Sequence, residues 1–187
     1  MKKLILILLF PFVIASSAGC TMTHKFGPYY GKVIDAETRE PIEGAAVLVV
    51  FYTEQAGPAG SVTHYADALE TVTDKKGEFS FPEHRITAFK PLHAWNPHGY
   101  FWIFKTGYGC YPRHKAVKPM FVPNGTLPAD EYVTVEIPNV KKESREKRLT
   151  NYGCEPVLIP KTKYKNLFRL INQERVDLGL EPRKGPK

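Results

Sequence analysis

The sequence predicts a mainly β chain with a helical piece at each end, and three observations predict it. Tyr, Phe, Val and Thr recur among 16 prolines and 14 glycines in 187 residues, a mixture that suits pleated strands joined by ordered turns. From Tyr29 to Pro82, apolar residues alternate or run unbroken between turn signals, in YYGKVI, AAVLVVFY, LETVT and EFSF. Alternation marks a strand with one buried face, and an unbroken run marks a strand buried on both. Near the C-terminus, Tyr164, Leu167, Phe168, Ile171 and Leu178 instead recur at helical spacing over Thr162 to Leu178, with Gly179 and Pro182 as stop signals. Apolar content of 43% and charged content of 24% are globular values, and the length suits one domain with accessory segments.

The N-terminal residues read as an address. Lys2 and Lys3 precede an apolar stretch from Leu4 to Ile14, and small residues follow. Charged start, apolar helix and small-residue zone make an export signal, too short to span a bilayer stably. Ser17-Ala18-Gly19-Cys20 resembles a bacterial lipobox and departs from it at Ser17, where that pattern has Leu. The resemblance implies cleavage before Cys20 and a lipid on its sulfur. Ordinary cleavage after Ala18 is the alternative, because Ser16-Ser17-Ala18 also fits a small-x-small site. Thr21 stands where Asp would mark retention, so by the same resemblance the outer membrane is expected rather than the inner. Several acyl chains, each CH₂ worth about 0.8 kcal/mol, give stable anchoring. The expected organisation is a signal peptide over residues 1–19, a lipidated tether over 20–28, a β-sandwich over 29–138 and a helical extension over 139–187 packed on it.

The formal charge is +7, of which Lys2 and Lys3 belong to the signal. Much of the remainder sits at Lys141, Lys142, Arg145, Lys147 and Arg148, then Lys161, Lys163 and Lys165. A solvated helix face explains that cluster. An exported protein does not meet a genome, so no nucleic-acid partner is expected. Three cysteines less one at the lipobox leave Cys110 and Cys154. In an oxidising compartment such a pair is most simply a disulfide, which would close a loop of about 44 residues and contribute about 3 to 4 kcal/mol. A redox pair or a metal site are the alternatives, and no Cys-x-x-Cys supports them.

Element by element, Tyr30 to Ile34 alternates and reads as a strand, closed by a turn at Asp35 to Ile42 in which Pro41 cannot donate to a ladder. Ala45 to Tyr52 reads as the strand buried on both faces, and Gln55 to Thr63 as a Gly/Pro/Ser loop. Ala68 to Thr73 and Glu78 to Phe81 flank a tight turn at Asp74-Lys75-Lys76-Gly77, with Gly where positive φ is needed. Glu131 to Ile137 reads as the closing strand, after a proline-punctuated loop over 119–130.

Gly31 to Val47 (GKVIDAETREPIEGAAV), Thr73 to Pro82 (TDKKGEFSFP) and Ile103 to Tyr108 (IFKTGY) together resemble the carboxypeptidase regulatory-like domain. The resemblance covers roughly Tyr29 to Tyr108 and implies a transthyretin-like (prealbumin-like) sandwich of about seven strands. The stretch between Pro82 and Tyr100, Cys110 and the tail after Pro138 lie outside its pattern. That family is non-catalytic and accompanies zinc peptidase domains, whose His-x-x-Glu signature is missing here. The resemblance therefore implies a scaffold or binding module rather than an enzyme, and no cofactor.

Residues 83–118 are rich in His, aromatics and basic residues, and three readings stand. The first reading is core packing, since alternate residues of FWIF face a sheet interior. The second reading is a glycan or small-ligand platform formed by Trp95, His98, Tyr100 and Tyr111. The third is a divalent metal at His93, His98 and His114, for which no helix aligns the ligands. No phosphate-binding Gly-rich loop, nucleophile elbow or His-Glu-x-x-His occurs. The function expected is a non-catalytic envelope lipoprotein with a structural or protein-interaction role. The glycan-binding module is the alternative, and a metal-dependent enzyme is a distant third.

Overall fold

The computed structural model describes residues 21–58, 60–145 and 154–185. The signal peptide, Cys20 and most of the charged segment after Lys142 lie outside the described residues. Among the described residues the strands are β1 (Thr21–Phe26), β2 (Tyr29–Asp35), β3 (Ala46–Gly57), β4 (Gly60–Val72), β5 (Glu78–Phe81), β6 (His84–Phe89), β7 (His93–Trp95), β8 (Tyr100–Phe104) and β9 (Tyr132–Ile137). A short 3₁₀ turn at Lys161–Lys163 leads into helix α1 (Lys165–Asp177).

Two sheets face one another. In the first, β2 lies between β5, antiparallel to it, and β9, parallel to it. In the second, β3 pairs with β4 along one edge and with β8 and then β7 along the other. Alternate residues of each strand meet in a shared core of Val33, Val47, Val49, Phe51, Phe79, Phe81, Phe101, Ile103, Val133 and Val135. This is a mainly β, sandwich-like architecture. The β1–β6 ribbon flanks it and contributes Phe26 and Ile86, the Phe26 ring lying 4.3 Å from that of Phe51.

The unbroken apolar run of β3 is explained by its second face. Ala46, Leu48 and Val50, with Phe104 of β8, pack against Tyr164, Leu167, Phe168, Leu170 and Ile171. Helix α1 thus backs the second sheet as a third layer, and the amphipathic stripe legible in the sequence is its buried face. The tight turn also forms as expected: Gly77 has φ 73°, and Asp74 Oδ1 accepts the backbone N–H groups of Lys76 and Glu78 at 2.8 Å each.

The two facing sheets hold seven of the nine described strands, and β1 and β6 form the separate ribbon. Two expectations are corrected. The expected tether is strand β1, because Met22, His24 and Phe26 alternate inward with exposed Thr23 and Lys25. The expected loop at Gln55 to Thr63 is a continuation of the β3–β4 ribbon, paired out to Gly57↔Gly60. Its Gly, Ala and Ser residues have low strand propensity, yet the backbone ladder carries on where no core contact is asked of the side chains.

Candidate functional site

The segment after Pro82 supplies β6, β7 and β8, and the alternation of β8 divides its aromatics between two layers. Phe101 and Ile103 enter the core between the sheets, whereas Trp102 packs toward the helix. Trp95, on β7, is half-buried, with its ring 5.8 Å from Phe26 and 5.9 Å from His24. His98 is exposed, and its backbone N–H donates to Asn96 Oδ1 at 3.1 Å. Tyr100 is half-buried edge-on against Tyr52, and Asn96 Nδ2 donates to its hydroxyl at 3.2 Å. The same Asn96 amide donates to Glu54 Oε1 at 2.9 Å, so Asn96 is the hub that groups Tyr100 with the His98 turn.

Tyr111 is not part of that group. It is fully buried in the shared core, and its hydroxyl donates to the Thr126 carbonyl at 2.8 Å. Burial drives its phenol well above the ordinary range. A ring enclosed on all sides cannot stack on a ligand, so the platform expected from four residues is reduced to Trp95, His98 and Tyr100.

The three histidines considered as metal ligands lie in separate surroundings. His93 Nδ1 lies 3.1 Å from Thr53 Oγ1, and its ring is 4.7 Å from that of His64. Desolvation, then His64 and Lys90, hold its pKa below the usual value, which keeps the ring neutral at pH 7. His114 Nδ1 accepts the Ala116 N–H at 3.2 Å. His98 points into solvent at its turn. Among the described residues no group of three or more His, Cys, Asp or Glu side chains is arranged to hold a metal ion.

Cys110 and Cys154 are joined in a disulfide, their Cα atoms 5.8 Å apart, and both are fully buried between β8 and the approach to α1. Other buried polar groups work alongside it. Glu174, wholly buried on α1, accepts the Gly107 N–H at 2.8 Å and faces Arg145 Nη1 at 3.4 Å. Asp67 of β4 accepts from Lys163 Nζ at 2.7 Å and lies 2.9 Å from His84 Nε2. Burial alone would raise the Asp67 pKa, but these hydrogen bonds and that of the Ala68 N–H outweigh it and hold the carboxyl below its usual range.

Two grooves remain. One, of about 390 Å³, is lined by Asp35, Glu40, Lys105, Tyr108 and Asn139, but its charges hold turns together. Asp35 Oδ1 accepts the N–H groups of Glu37 and Thr38 at 2.7 and 3.0 Å, and Lys105 Nζ donates to the Glu43 carbonyl at 2.8 Å. The other, of about 370 Å³, lies beside the outer face of the three-stranded sheet and is lined by Tyr30, Thr71, Asp74, Glu78, Ser80 and Tyr132. Tyr30 and Tyr132 are paired in the β2–β9 register, with ring centroids 6.3 Å apart. Tyr132 is half-exposed, and its hydroxyl donates to Glu78 Oε1 at 3.2 Å. The sequence reading missed this groove. Its residues come from strands far apart in the chain, and a parallel β2–β9 pairing leaves no local signal to reveal them.

The described residues thus define a mainly β, sandwich-like protein with one helix-backed sheet, a structural disulfide and an open tyrosine-lined groove. Compared with models of known protein families, with curated proteins and with solved structures, the chain finds no match.

Proposed function

We propose that the chain is a non-catalytic lipoprotein of the cell envelope, anchored through lipid on Cys20 in the outer membrane, whose sandwich serves as a structural or protein-interaction scaffold. One observation carries this reading. The β1–β6 ladder starts with Thr21 opposite Phe89, so the residue after Cys20 already belongs to the folded body. A lipid on Cys20 would hold the sandwich against the membrane rather than at the end of a leash. The transthyretin-like identity of the sandwich is part of the proposal. It is supported by where the three resembling blocks fall: Gly31 to Val47 spans β2 into β3, Thr73 to Pro82 contains the turn and β5, and Ile103 to Tyr108 ends β8. Mass spectrometry of the mature N-terminus tests the anchor. A diacylglyceryl-modified Cys20 as first residue is expected, with Cys20→Ala released from the membrane fraction, and an unmodified start at Gly19 rejects the reading.

A second reading is a glycan or small polar ligand, favoured by the Tyr30–Tyr132 pair, which presents a partly open aromatic face beside Glu78 and Ser80. Sugar faces stack on such rings while hydroxyls take the polar rim. Saturation transfer from the protein to oligosaccharides, lost in Tyr132→Ala, would support it, and the absence of transfer in the parent chain would reject it.

A further inference from the structure

Several features converge on one end of the molecule. Thr21, the residue that follows Cys20 in the sequence, pairs with Phe89. Phe89 is 69% exposed and Leu92, three residues on, is 88% exposed. Leu92 has φ 64°, a conformation that branched apolar residues rarely adopt. His93 then pairs with Gln55, and Gln55 with Val62. Neighbouring strands are about 4.8 Å apart, so the β3–β4 ribbon tip stands beside Leu92. That tip is uncharged from Gln55 to Thr63, and Val62 is exposed on it.

The charges nearest this end are engaged elsewhere. Lys90 Nζ donates to the Tyr65 carbonyl at 3.0 Å and to Thr53 Oγ1 at 3.4 Å. The Glu54 carboxylate accepts from Asn96 and Ser61. Lys25, Glu83 and Arg85 lie at the opposite end of the β1–β6 ribbon, where Phe26 meets His84. An end with an uncharged ribbon tip and two protruding apolar side chains, its nearest charges Lys90 and Glu54 each hydrogen-bonded within the protein, beside the attachment point of acyl chains, matches a lipid surface in chemistry and in position.

We propose that this end docks on a phospholipid bilayer, with Phe89 and Leu92 inserted at the boundary of headgroups and acyl chains and the uncharged β3–β4 tip lying on the surface beside them. The inference rests on the lipid anchor at Cys20 and adds an orientation: the sandwich stands on this end, and Val72, paired with Ala46 nine residues along β3 from Gln55, lies about 30 Å away from it.

The test uses the acylated full chain reconstituted in phosphatidylethanolamine–phosphatidylglycerol vesicles, with or without brominated acyl chains. Phe89→Trp and Leu92→Trp report on the tip and Val72→Trp on the far end, each read above the background of Trp95 and Trp102. All three positions are exposed, so the substitutions leave the core intact. Bromolipid is expected to reduce the added emission about twofold or more in the two tip variants, and by less than about a tenth in Val72→Trp, as for groups at the acyl boundary and in bulk water. Tip variants that are acylated yet quenched no more than Val72→Trp overturn the orientation and leave the anchor standing. A mature chain with no acyl group on Cys20 overturns the anchor and the orientation together.

Discussion

Glu70 is the side chain on which the third layer most clearly depends. The first turn of an α-helix leaves backbone N–H groups without helical partners, and Tyr164, at the N-cap of α1, offers no side-chain hydrogen bond. Glu70 reaches across from β4 instead. Its Oε2 accepts the Asn166 N–H at 2.8 Å and Asn166 Nδ2 at 3.0 Å, and its Oε1 accepts the Leu167 N–H at 2.7 Å. A carboxylate at the positive end of the helix adds a favourable dipole interaction. Hydrogen bonds to a charged group are worth about 1.5 to 3 kcal/mol each, but water can reach part of this half-buried end, which brings the loss closer to that of an N-cap, about 0.5 to 2 kcal/mol. We expect Glu70→Ala to cost about 2 kcal/mol, the upper end of that range, because three hydrogen bonds are lost together. Glu70→Gln keeps one acceptor but turns an amide donor toward another donor, and should cost about 1 to 2 kcal/mol. Urea unfolding at neutral pH, with an unchanged m-value, gives the loss. Amide exchange at Asn166, Leu167 and Phe168 locates it. Glu70→Ala within about 0.5 kcal/mol of the parent, with exchange at those amides unaltered, would refute the argument and leave packing alone as what seats the helix.

Three further outcomes follow from the same structure. Removing the Cys110–Cys154 disulfide, a separation of 44 residues, should lower stability by about 4 kcal/mol in the chain-entropy account; a Cys110→Ala/Cys154→Ala variant with an unchanged urea midpoint contradicts it. Gly31→Ala should cost about 3 kcal/mol or more or prevent folding, because a Cβ there lands on the Val133 carbonyl oxygen across the β2–β9 ladder; near-parental stability would mean that the two backbones do not approach so closely. Asp67 has a folded-state pKa below its unfolded value, so its contribution is present above about pH 4 and is lost as pH falls through the folded value. The stability gap between Asp67→Asn and the parent should therefore be largest near neutrality and close in acid, and a gap independent of pH excludes the Lys163–Asp67–His84 cluster as its source.

What was legible in the sequence follows the range of the interactions. Helix α1 declared itself through the spacing of Leu167, Phe168 and Ile171, and β3 through its unbroken run, because burial on a known period leaves a local trace. The turn at Gly77 and the pairing of Cys110 with Cys154 were legible for similar reasons: few residue types do those jobs. β1 escaped because its alternation is carried by Met22 and His24, which are not typical core residues. The ligand platform was misjudged at Tyr111, since nothing local tells a core tyrosine satisfied by a carbonyl 15 residues later from one that meets solvent. The Tyr30–Tyr132 groove was invisible because a parallel pair is made by topology and not by neighbours in sequence.

The placement of the C-terminal segment narrows where any partner can bind. A stripe such as Tyr164, Leu167, Phe168 and Ile171 would serve a partner protein only if it faced outward, yet it is spent on Leu48, Val50 and Phe104. Four ties hold it there from different directions: the disulfide at Cys154, Glu70 at the first turn, Lys163 on Asp67, and Glu174 on the Gly107 N–H. Each joins a residue of the segment to β4 or to the chain just after β8, so the sheet and the helix stabilise one another. Releasing the helix to bind elsewhere would break these contacts and expose the apolar face of β3, a cost no single new contact on α1 would offset. The two surfaces proposed above for ligand and lipid, the tyrosine-lined groove beside β2, β5 and β9 and the end beside Thr21, are both ones that the third layer leaves open.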